Sequence, residues 1–164
     1  MASIMKVEHL TSGYEDKMIL NDISLEIPSN QISIIIGANG CGKSTLLKTM
    51  ARLIKPSAGQ VTLYDKPISK MAPKKLARVL GMLPQSPVVP EGITVADLVG
   101  RGRYPHQSFL KGWTKADYEA VAEAMEMMNI TEFADRPIDE LSGGQRQRVW
   151  IAMALAQQTD VLFL

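Results

Sequence analysis

The chain has 164 residues and a mass of 18.0 kDa; 46% of its side chains are apolar and 21% are charged. This composition predicts one folded domain with a substantial core and excludes a disordered chain. The net charge of +1 excludes the broad basic field that drives nonspecific binding to nucleic acid or acidic lipid. No apolar run approaches the roughly 20 residues that cross a bilayer. The first residues are not expected to form a secretory signal, and the single Cys41 excludes an internal disulfide.

The first part of the chain predicts an antiparallel β-layer followed by a strand, a loop and a helix. Spaced apolar residues predict strands within 4–10 and 19–27. The run from Gln31 to Ile36 is rich in isoleucine, which predicts a strand buried on both faces of a mainly parallel sheet. A helix is predicted from Lys43 to about Leu53.

The middle of the chain predicts shorter elements. Residues 60–64 alternate like a hairpin strand, and a basic helix is predicted near 72–78. A short strand over 80–83 follows. Residues 87–112 are rich in Pro and Gly and contain one predicted helix, at 95–99.

The last third of the chain predicts two amphipathic helices and a final strand. The Thr114 to Asp117 stretch resembles an N-terminal cap. The next helix carries a stripe of apolar side chains, Tyr118, Val121, Ala122, Met125 and Met128. This stripe could be an adaptable methionine-rich partner surface, but core packing is the preferred interpretation. A helix at 145–158, with Val149, Ala152, Leu155 and Ala156 inward, then leads to an apolar strand within 160–164.

A glycine-rich loop carries the strongest chemical motif. Gly37-Ala38-Asn39-Gly40-Cys41-Gly42-Lys43-Ser44 fits the pattern G-x-x-x-x-G-K-S between a predicted strand and a predicted helix. Backbone N–H groups of such a loop surround a phosphate, and the helix N-terminus adds partial positive charge. Lys43 is predicted to neutralise β- and γ-phosphate charge, Ser44 to ligate Mg²⁺, and Thr45 to reach an α-phosphate. The alternative is a glycine-rich strand-to-helix turn with a chance lysine. Within the motif, Cys41 is predicted simply to fill an unspecified position.

A second motif, Leu141-Ser142-Gly143-Gly144-Gln145, opens the predicted helix at 145–158. Read locally, Ser142 and Gln145 form an S-x-x-Q capping box. Read chemically, Ser142 and the two glycines provide donors at a helix N-terminus for another phosphate.

Together, these two motifs resemble the nucleotide-binding domain of an ATP-binding cassette (ABC) protein, and the resemblance covers the whole chain. It implies an α/β fold: a P-loop NTPase (RecA-like) core with an antiparallel β-subdomain and an α-helical subdomain, and with the C-terminal part of the core missing. The implied arrangement places the β-subdomain and P-loop core at about 1–85, the helical subdomain at about 86–145, and a return to the core at 146–164.

The same resemblance implies ATP and Mg²⁺ as cofactors and a head-to-tail homodimer. The loop residues that it assigns to the chain's own ATP are Gly37, Asn39, Gly40, Cys41, Gly42, Lys43, Ser44 and Thr45. Ser142, Gly143, Gly144 and Gln145 would serve the ATP of the partner subunit. Tyr14 matches the aromatic residue that stacks on adenine, although an exposed turn tyrosine is the alternative. Gln85 matches the glutamine that meets Mg²⁺ and links the site to a transmembrane partner, with a plain loop glutamine as the alternative.

A narrower likeness lies in Gly102-Arg103-Tyr104-Pro105-His106. This segment is similar to one in ATPases that drive uptake of ferric siderophores, haem and cobalamin, whereas a solvated loop histidine is the alternative for His106. The likeness implies an energy-coupling subunit that contacts transmembrane permease subunits and meets the membrane only through them. It would lie at the cytoplasmic face of the membrane and would bind no nucleic acid.

The family's Asp-Glu pair, which follows the last apolar strand, and its switch histidine do not occur in the 164 residues. Lys43 and Gln85 are therefore the only catalytic residues that the resemblance supplies, and the chain alone is expected to bind ATP without hydrolysing it. We expect the sequence to be part of a longer active ATPase. The alternatives are a nonhydrolytic nucleotide-binding module and a soluble ABC ATPase of DNA repair or translation.

Overall fold

The structure is a computed structural model that describes residues 3–14, 17–83, 90–107 and 112–164. The chain divides into two compact units, Met1–Ala72 and Pro73–Leu164. The predicted domain bounds near 85 and 145 remain predictions.

The first unit contains a four-stranded antiparallel sheet. Its strands are β1 (Ser3–Tyr14), β2 (Lys17–Pro28), β3 (Ala58–Leu63) and β4 (Lys66–Pro67), in the order β2-β1-β3-β4. Tyr64 and Asp65 join β3 to β4 with φ of 51° and 56°, and positive φ at both positions is typical of a two-residue hairpin turn. The predicted β-layer and hairpin strand are confirmed.

Helix α1 (Lys43–Met50) packs against β1 and completes the core of this unit. Met50 is fully buried, and the hydroxyls of Thr49 and Ser12 form a buried hydrogen bond of 2.9 Å. The helix is shorter than the predicted one, which reached about Leu53. Arg52 has a φ of 59°, and a residue in the left-handed region ends a helix.

The prediction of a buried strand from Gln31 to Ile36 is wrong for this structure. The segment has no strand pairing among the described residues, and the side chains of Ile32, Ile34 and Ile36 are 93%, 77% and 89% exposed. Burial on both faces requires neighbouring strands and covering helices. Because no described element covers this run, its apolar sequence alone does not bury it.

The second unit is mostly helical. Its elements are α2 (Pro73–Val79), β5 (Leu80–Met82), α3 (Val95–Gly100), α4 (Lys115–Met127), α5 (Gly143–Ala156) and β6 (Val161–Phe163). The two strands are parallel, with Leu80 opposite Val161 and Met82 opposite Phe163. Each of these elements overlaps its predicted range. Among the described helices of the chain, none is long and apolar enough to cross a membrane.

The core of the second unit lies between α3, α4 and α5. Its fully buried side chains include Val95, Val99, Val149, Ala152 and Ala156. Leu155, predicted to point inward, is only half-buried.

The predicted apolar stripe of α4 is partly wrong. Val121 and Met125 are buried as predicted, but Tyr118 is 62% exposed and Ala122 is exposed. Asp117 is buried instead, because its carboxylate pairs with a buried arginine. The buried face of α4 also includes Ala120 and Ala124, which the predicted stripe did not contain.

Candidate functional site

The loop from Gly37 to Gly42 leads directly into α1, as the motif predicts. Gly40 and Gly42 have φ of 81° and 99°, values that side-chain-bearing residues rarely adopt. A Cβ atom on Gly42 would also lie 2.9 Å from a methyl group of Leu20 on β2. Glycine is therefore required at position 42 both by backbone conformation and by space.

The ammonium group of Lys43 lies within the curve of this loop. Its Nζ donates hydrogen bonds to the carbonyl oxygens of Gly37 and Ala38, at 2.7 and 2.8 Å. It also lies 3.8 Å from the Sγ of Cys41, which is an exposed free thiol. A bound phosphate would offer the ammonium charged oxygens, which are stronger acceptors than carbonyls.

The partial positive charge at the N-terminus of α1 is not neutralised by a capping side chain or by an acidic residue of its first turn. Gly42, its N-cap, provides no side-chain hydrogen bond, and the first turn holds no acidic residue. The first N–H groups of a helix have no partner within it, and they carry partial positive charge. The predicted phosphate ligands of the loop thus fit an anion, as the triphosphate of ATP requires.

The two hydroxyl residues of this turn differ in exposure. Ser44, the predicted Mg²⁺ ligand, is exposed, whereas Thr45 is only 5% exposed. Within the described ranges, no three His, Cys, Asp or Glu side chains form a metal-binding group. The exposed hydroxyl of Ser44 is a hard oxygen donor, which suits Mg²⁺, an ion that takes oxygen ligands and keeps much of its shell from substrate phosphates and water. The other predicted ligand, Gln85, lies outside the described residues.

Tyr14 ends β1, and its side chain is 44% exposed. The Nζ of Lys48 lies 5.9 Å from the centroid of the Tyr14 ring and 3.4 Å from its hydroxyl oxygen. The position of Lys48 beside Tyr14 is not among the features predicted from the sequence. Its spacing of four residues from Ser44, which places both on one face of α1, was the available signal.

The turn at Ser142 opens α5 with the predicted capping box. The Gln145 N–H donates to Ser142 Oγ at 3.3 Å, and the Ser142 N–H donates to Gln145 Oε1 at 2.8 Å. Ser142, Gly143 and Gly144 are exposed, and a Cβ atom on either glycine would enter open space. The capping box is confirmed, while the phosphate role of these four residues stays a prediction.

Arg146, which no sequence motif indicates, stabilises this turn from the first turns of α5. Its Nε donates to the carbonyl oxygen of Leu141 at 2.9 Å, and its Nη2 donates to that of Asp139 at 3.1 Å. Because these carbonyls precede Ser142, the guanidinium fixes the chain that enters the turn.

A buried ion pair lies elsewhere in the second unit. Arg103 Nε donates to Asp117 Oδ1 at 2.9 Å, and both side chains are about 5% exposed. The pKa of Asp117 is lowered from 3.8 to about 2, because the backbone N–H and hydroxyl of Thr114 and the Arg103 guanidinium all donate to its carboxylate. In the sequence, Arg103 stands out only within the Gly102 to His106 segment, and no local pattern indicates its pairing with Asp117.

Comparison with known proteins places these motifs in one family. The family model described as "ABC transporter" matches residues 20–164. A probable siderophore transport system ATP-binding protein of Bacillus subtilis is 51% identical over 162 residues, which are 99% of this chain and 59% of the relative. The ferric enterobactin transport ATP-binding protein of Escherichia coli is 49% identical, over 98% of this chain and 59% of its own length.

Solved structures agree with the sequence comparison. The chain matches cbiO1 from Clostridium perfringens, part of an ABC transporter complex, with a TM-score of 0.83 and 30% identity over 99% of this chain and 64% of that one. It matches the ADP conformation of the ATP-binding cassette MJ1267 with a TM-score of 0.84 and 26% identity, over 99% of this chain and 68% of that one. The predicted P-loop fold with antiparallel β-layer and helices is confirmed. The chain spans about 60% of the length of its curated relatives.

Proposed function

Because the chain belongs to the ABC transporter family, we propose that it is the ATP-binding, energy-coupling part of an importer for an iron-siderophore or related metal chelate. The observation that carries this proposal is the glycine loop, which closes around the Lys43 ammonium at an uncapped helix N-terminus. The names of the relatives, which refer to siderophore, petrobactin and enterobactin transport, support the cargo class.

The proposed roles follow from the chemistry of each group. Lys43 exchanges the carbonyls of Gly37 and Ala38 for β- and γ-phosphate oxygens. Ser44 ligates Mg²⁺ together with Gln85, and the aromatic ring of Tyr14 stacks on adenine. The bound metal would withdraw charge from the phosphates and so assist attack by water.

A second copy of the subunit completes the proposed site. Ser142, Gly143, Gly144 and Gln145 form a helix N-terminus, of which the first three are exposed, without an acidic residue in its first turn. This helix end suits the ATP of a partner subunit. ATP then favours the paired state, and hydrolysis releases it, so that nucleotide affinity becomes a shift between two populations. A permease that contacts this subunit at the cytoplasmic face of the membrane would move the cargo.

Hydrolysis is proposed for the intact protein. The 164 residues themselves contain Lys43 but not the family's acid pair or switch histidine. We therefore expect these residues alone to bind MgATP and to cleave it poorly, because no described side chain is assigned to position the attacking water.

The proposal is tested by MgATP binding to the intact protein and to its Lys43→Ala variant. Loss of a charge-assisted contact of about 1.5–3 kcal/mol should weaken binding by roughly tenfold to a hundredfold. Lys66→Ala, which removes an exposed lysine from β4, is the control and should bind normally. Equal affinity of Lys43→Ala and wild type would contradict the phosphate assignment. ATP binding without hydrolysis by the intact protein would instead favour the nonhydrolytic module.

A further inference from the structure

The segment from Gly102 to His106 lies on the C-terminal end of α5. Arg103 Nη1 donates to the carbonyl oxygen of Ala156 at 2.8 Å and to the side-chain oxygen of Gln158 at 3.0 Å. His106 Nε2 lies 2.7 Å from the carbonyl oxygen of Gln157, and it is the donor because a carbonyl only accepts. The last carbonyls of a helix lack partners within it, so this segment caps α5.

The backbone of the segment also touches α5 directly. A Cβ atom on Gly102 would lie 2.2 Å from the carbonyl oxygen of Met153, so only glycine permits this approach. The alternative interpretation of His106 as a solvated loop residue is wrong, because its ring is half-buried and bonded to the end of this helix.

The C-terminal end of α5 is also hydrogen-bonded to α2. Gln157 Nε2 donates to the carbonyl oxygen of Ala77 at 2.6 Å, and Arg78 Nε donates to that of Pro105 at 2.9 Å. The segment and the end of α5 are therefore both bonded to the helix that precedes β5.

Arg103 connects this capped end to a third helix. Its Nε donates to the carboxylate of Asp117, which in turn accepts the backbone N–H and hydroxyl of Thr114 at the first turn of α4. A single buried guanidinium thus joins the first turn of α4 to the last turn of α5. A planar guanidinium suits this role because its donors point in fixed directions, which a lysine ammonium cannot reproduce.

The opposite end of α5 begins at Ser142. We propose that Arg103 is a positioning residue, which fixes the C-terminal end of α5 against α4 and thereby aims the Ser142 turn at the nucleotide of a partner subunit. A helix of this length, about 21 Å at ~1.5 Å per residue, transmits a small tilt at one end into a displacement at the other. This inference rests on the proposed pairing of subunits around ATP.

The test separates positioning from stability by removing both buried charges together. In the intact protein, Arg103→Met combined with Asp117→Asn leaves no unpaired buried charge, and the amide oxygen of Asn retains an acceptor for the Thr114 cap. We expect the double variant to fold and to bind ATP as a monomer within about twofold of wild type. We expect its ATP-driven pairing to require more ATP and its kcat to fall by at least tenfold, because the Ser142 turn is no longer aimed.

The matched control replaces the exposed pair of α4, Lys115 and Glu119, with Met and Gln. These side chains lie 3.5 Å apart at the surface, so pairing and kcat should equal those of wild type. A double Arg103 and Asp117 variant that pairs and turns over like this control would overturn the inference. If that variant does not fold, the comparison is made with Arg103→Lys, which keeps the charge but lacks the second, fixed donor that joins the Asp117 carboxylate to the Ala156 carbonyl; the same losses in pairing and kcat are expected, and wild-type values would overturn the inference. Failure of wild type to pair with ATP would instead refute the proposed function.

Discussion

At the scale of single residues, the feature that most constrains the second unit is the pair of buried charges at Arg103 and Asp117. Burying two charges gains little net stability over apolar packing, but leaving one of them unpaired costs about 3–5 kcal/mol. Asp117 is held in its charged form by three donors. The pair therefore specifies how α4 and α5 meet more than it strengthens the fold.

The lowered pKa of Asp117 predicts an acid-dependent loss of stability. The folded-state pKa of about 2 lies below the ordinary 3.8, so ionisation of this group stabilises the folded state above pH 3.8. That contribution is lost as the pH falls from about 4 through 2. The difference in unfolding midpoint between wild type and Asp117→Asn should therefore be largest near neutral pH and should shrink over that range.

Denaturant unfolding between pH 2 and pH 7 measures this difference. Glu119→Gln is the control, since its carboxylate is exposed and its loss should change stability by less than about 1 kcal/mol. A constant difference between wild type and Asp117→Asn across this pH range would show that ionisation of Asp117 does not stabilise the fold.

At the scale of elements, the two ends of α5 are capped in different ways. Its N-terminus forms a capping box with an exposed Ser142, and its C-terminal carbonyls accept bonds from Arg103 and His106. The cap alone explains why Ser142 is favoured at this position. It does not by itself explain two adjacent exposed glycines, which weaken the start of a helix.

Replacement of Ser142 by Asp separates the capping role from the phosphate role. Asp is as good an N-cap as Ser and suits the positive end of the helix, so stability should change by less than about 0.5 kcal/mol. In the proposed pair of subunits, this charge would face the partner's phosphates, so we expect ATP-driven pairing of the intact protein to be lost.

Size-exclusion chromatography with MgATP under non-hydrolysing conditions reads out pairing, and thermal unfolding reads out the cap. Ser142→Thr, which keeps a hydroxyl in both roles, should pair as wild type does. ATP-driven dimers of Ser142→Asp at wild-type ATP concentrations would leave capping as the only role of this serine.

At the scale of the whole molecule, the main exposed apolar feature described is the run that contains Ile32, Ile34 and Ile36. Three isoleucines at alternate positions are largely exposed in one short segment, and exposed apolar patches promote association between chains. The 164 residues on their own are therefore expected to self-associate.

Ile34→Lys should lower light scattering by the 164-residue chain severalfold, because a charge within an exposed apolar run opposes its association with other chains. The control is Leu53→Lys, which changes an isolated exposed leucine (68% exposed) elsewhere in the same unit and should leave scattering nearly unchanged. Equal scattering by Ile34→Lys and wild type, or a monodisperse wild-type chain, would show that this isoleucine run does not cause self-association.

Much of the fold and of the candidate site is predictable from the sequence because it depends on near neighbours. The phosphate loop needs glycines at fixed positions before a lysine and a helix, and the caps at Thr114 and Ser142 need a partner three residues later. Such patterns act through backbone torsions and local hydrogen bonds, so the amino-acid sequence already determines the loop and the two helix caps.

Only the tertiary structure decides which of these elements are covered and which distant side chains meet. It leaves the run at Ile34 uncovered, turns Asp117 inward, places Lys48 beside Tyr14, and brings Arg103 to the end of α5. Periodicity along a helix or strand identifies an apolar face but not the group that lies against it. Contacts between residues far apart in sequence depend on packing in three dimensions, which no local pattern encodes.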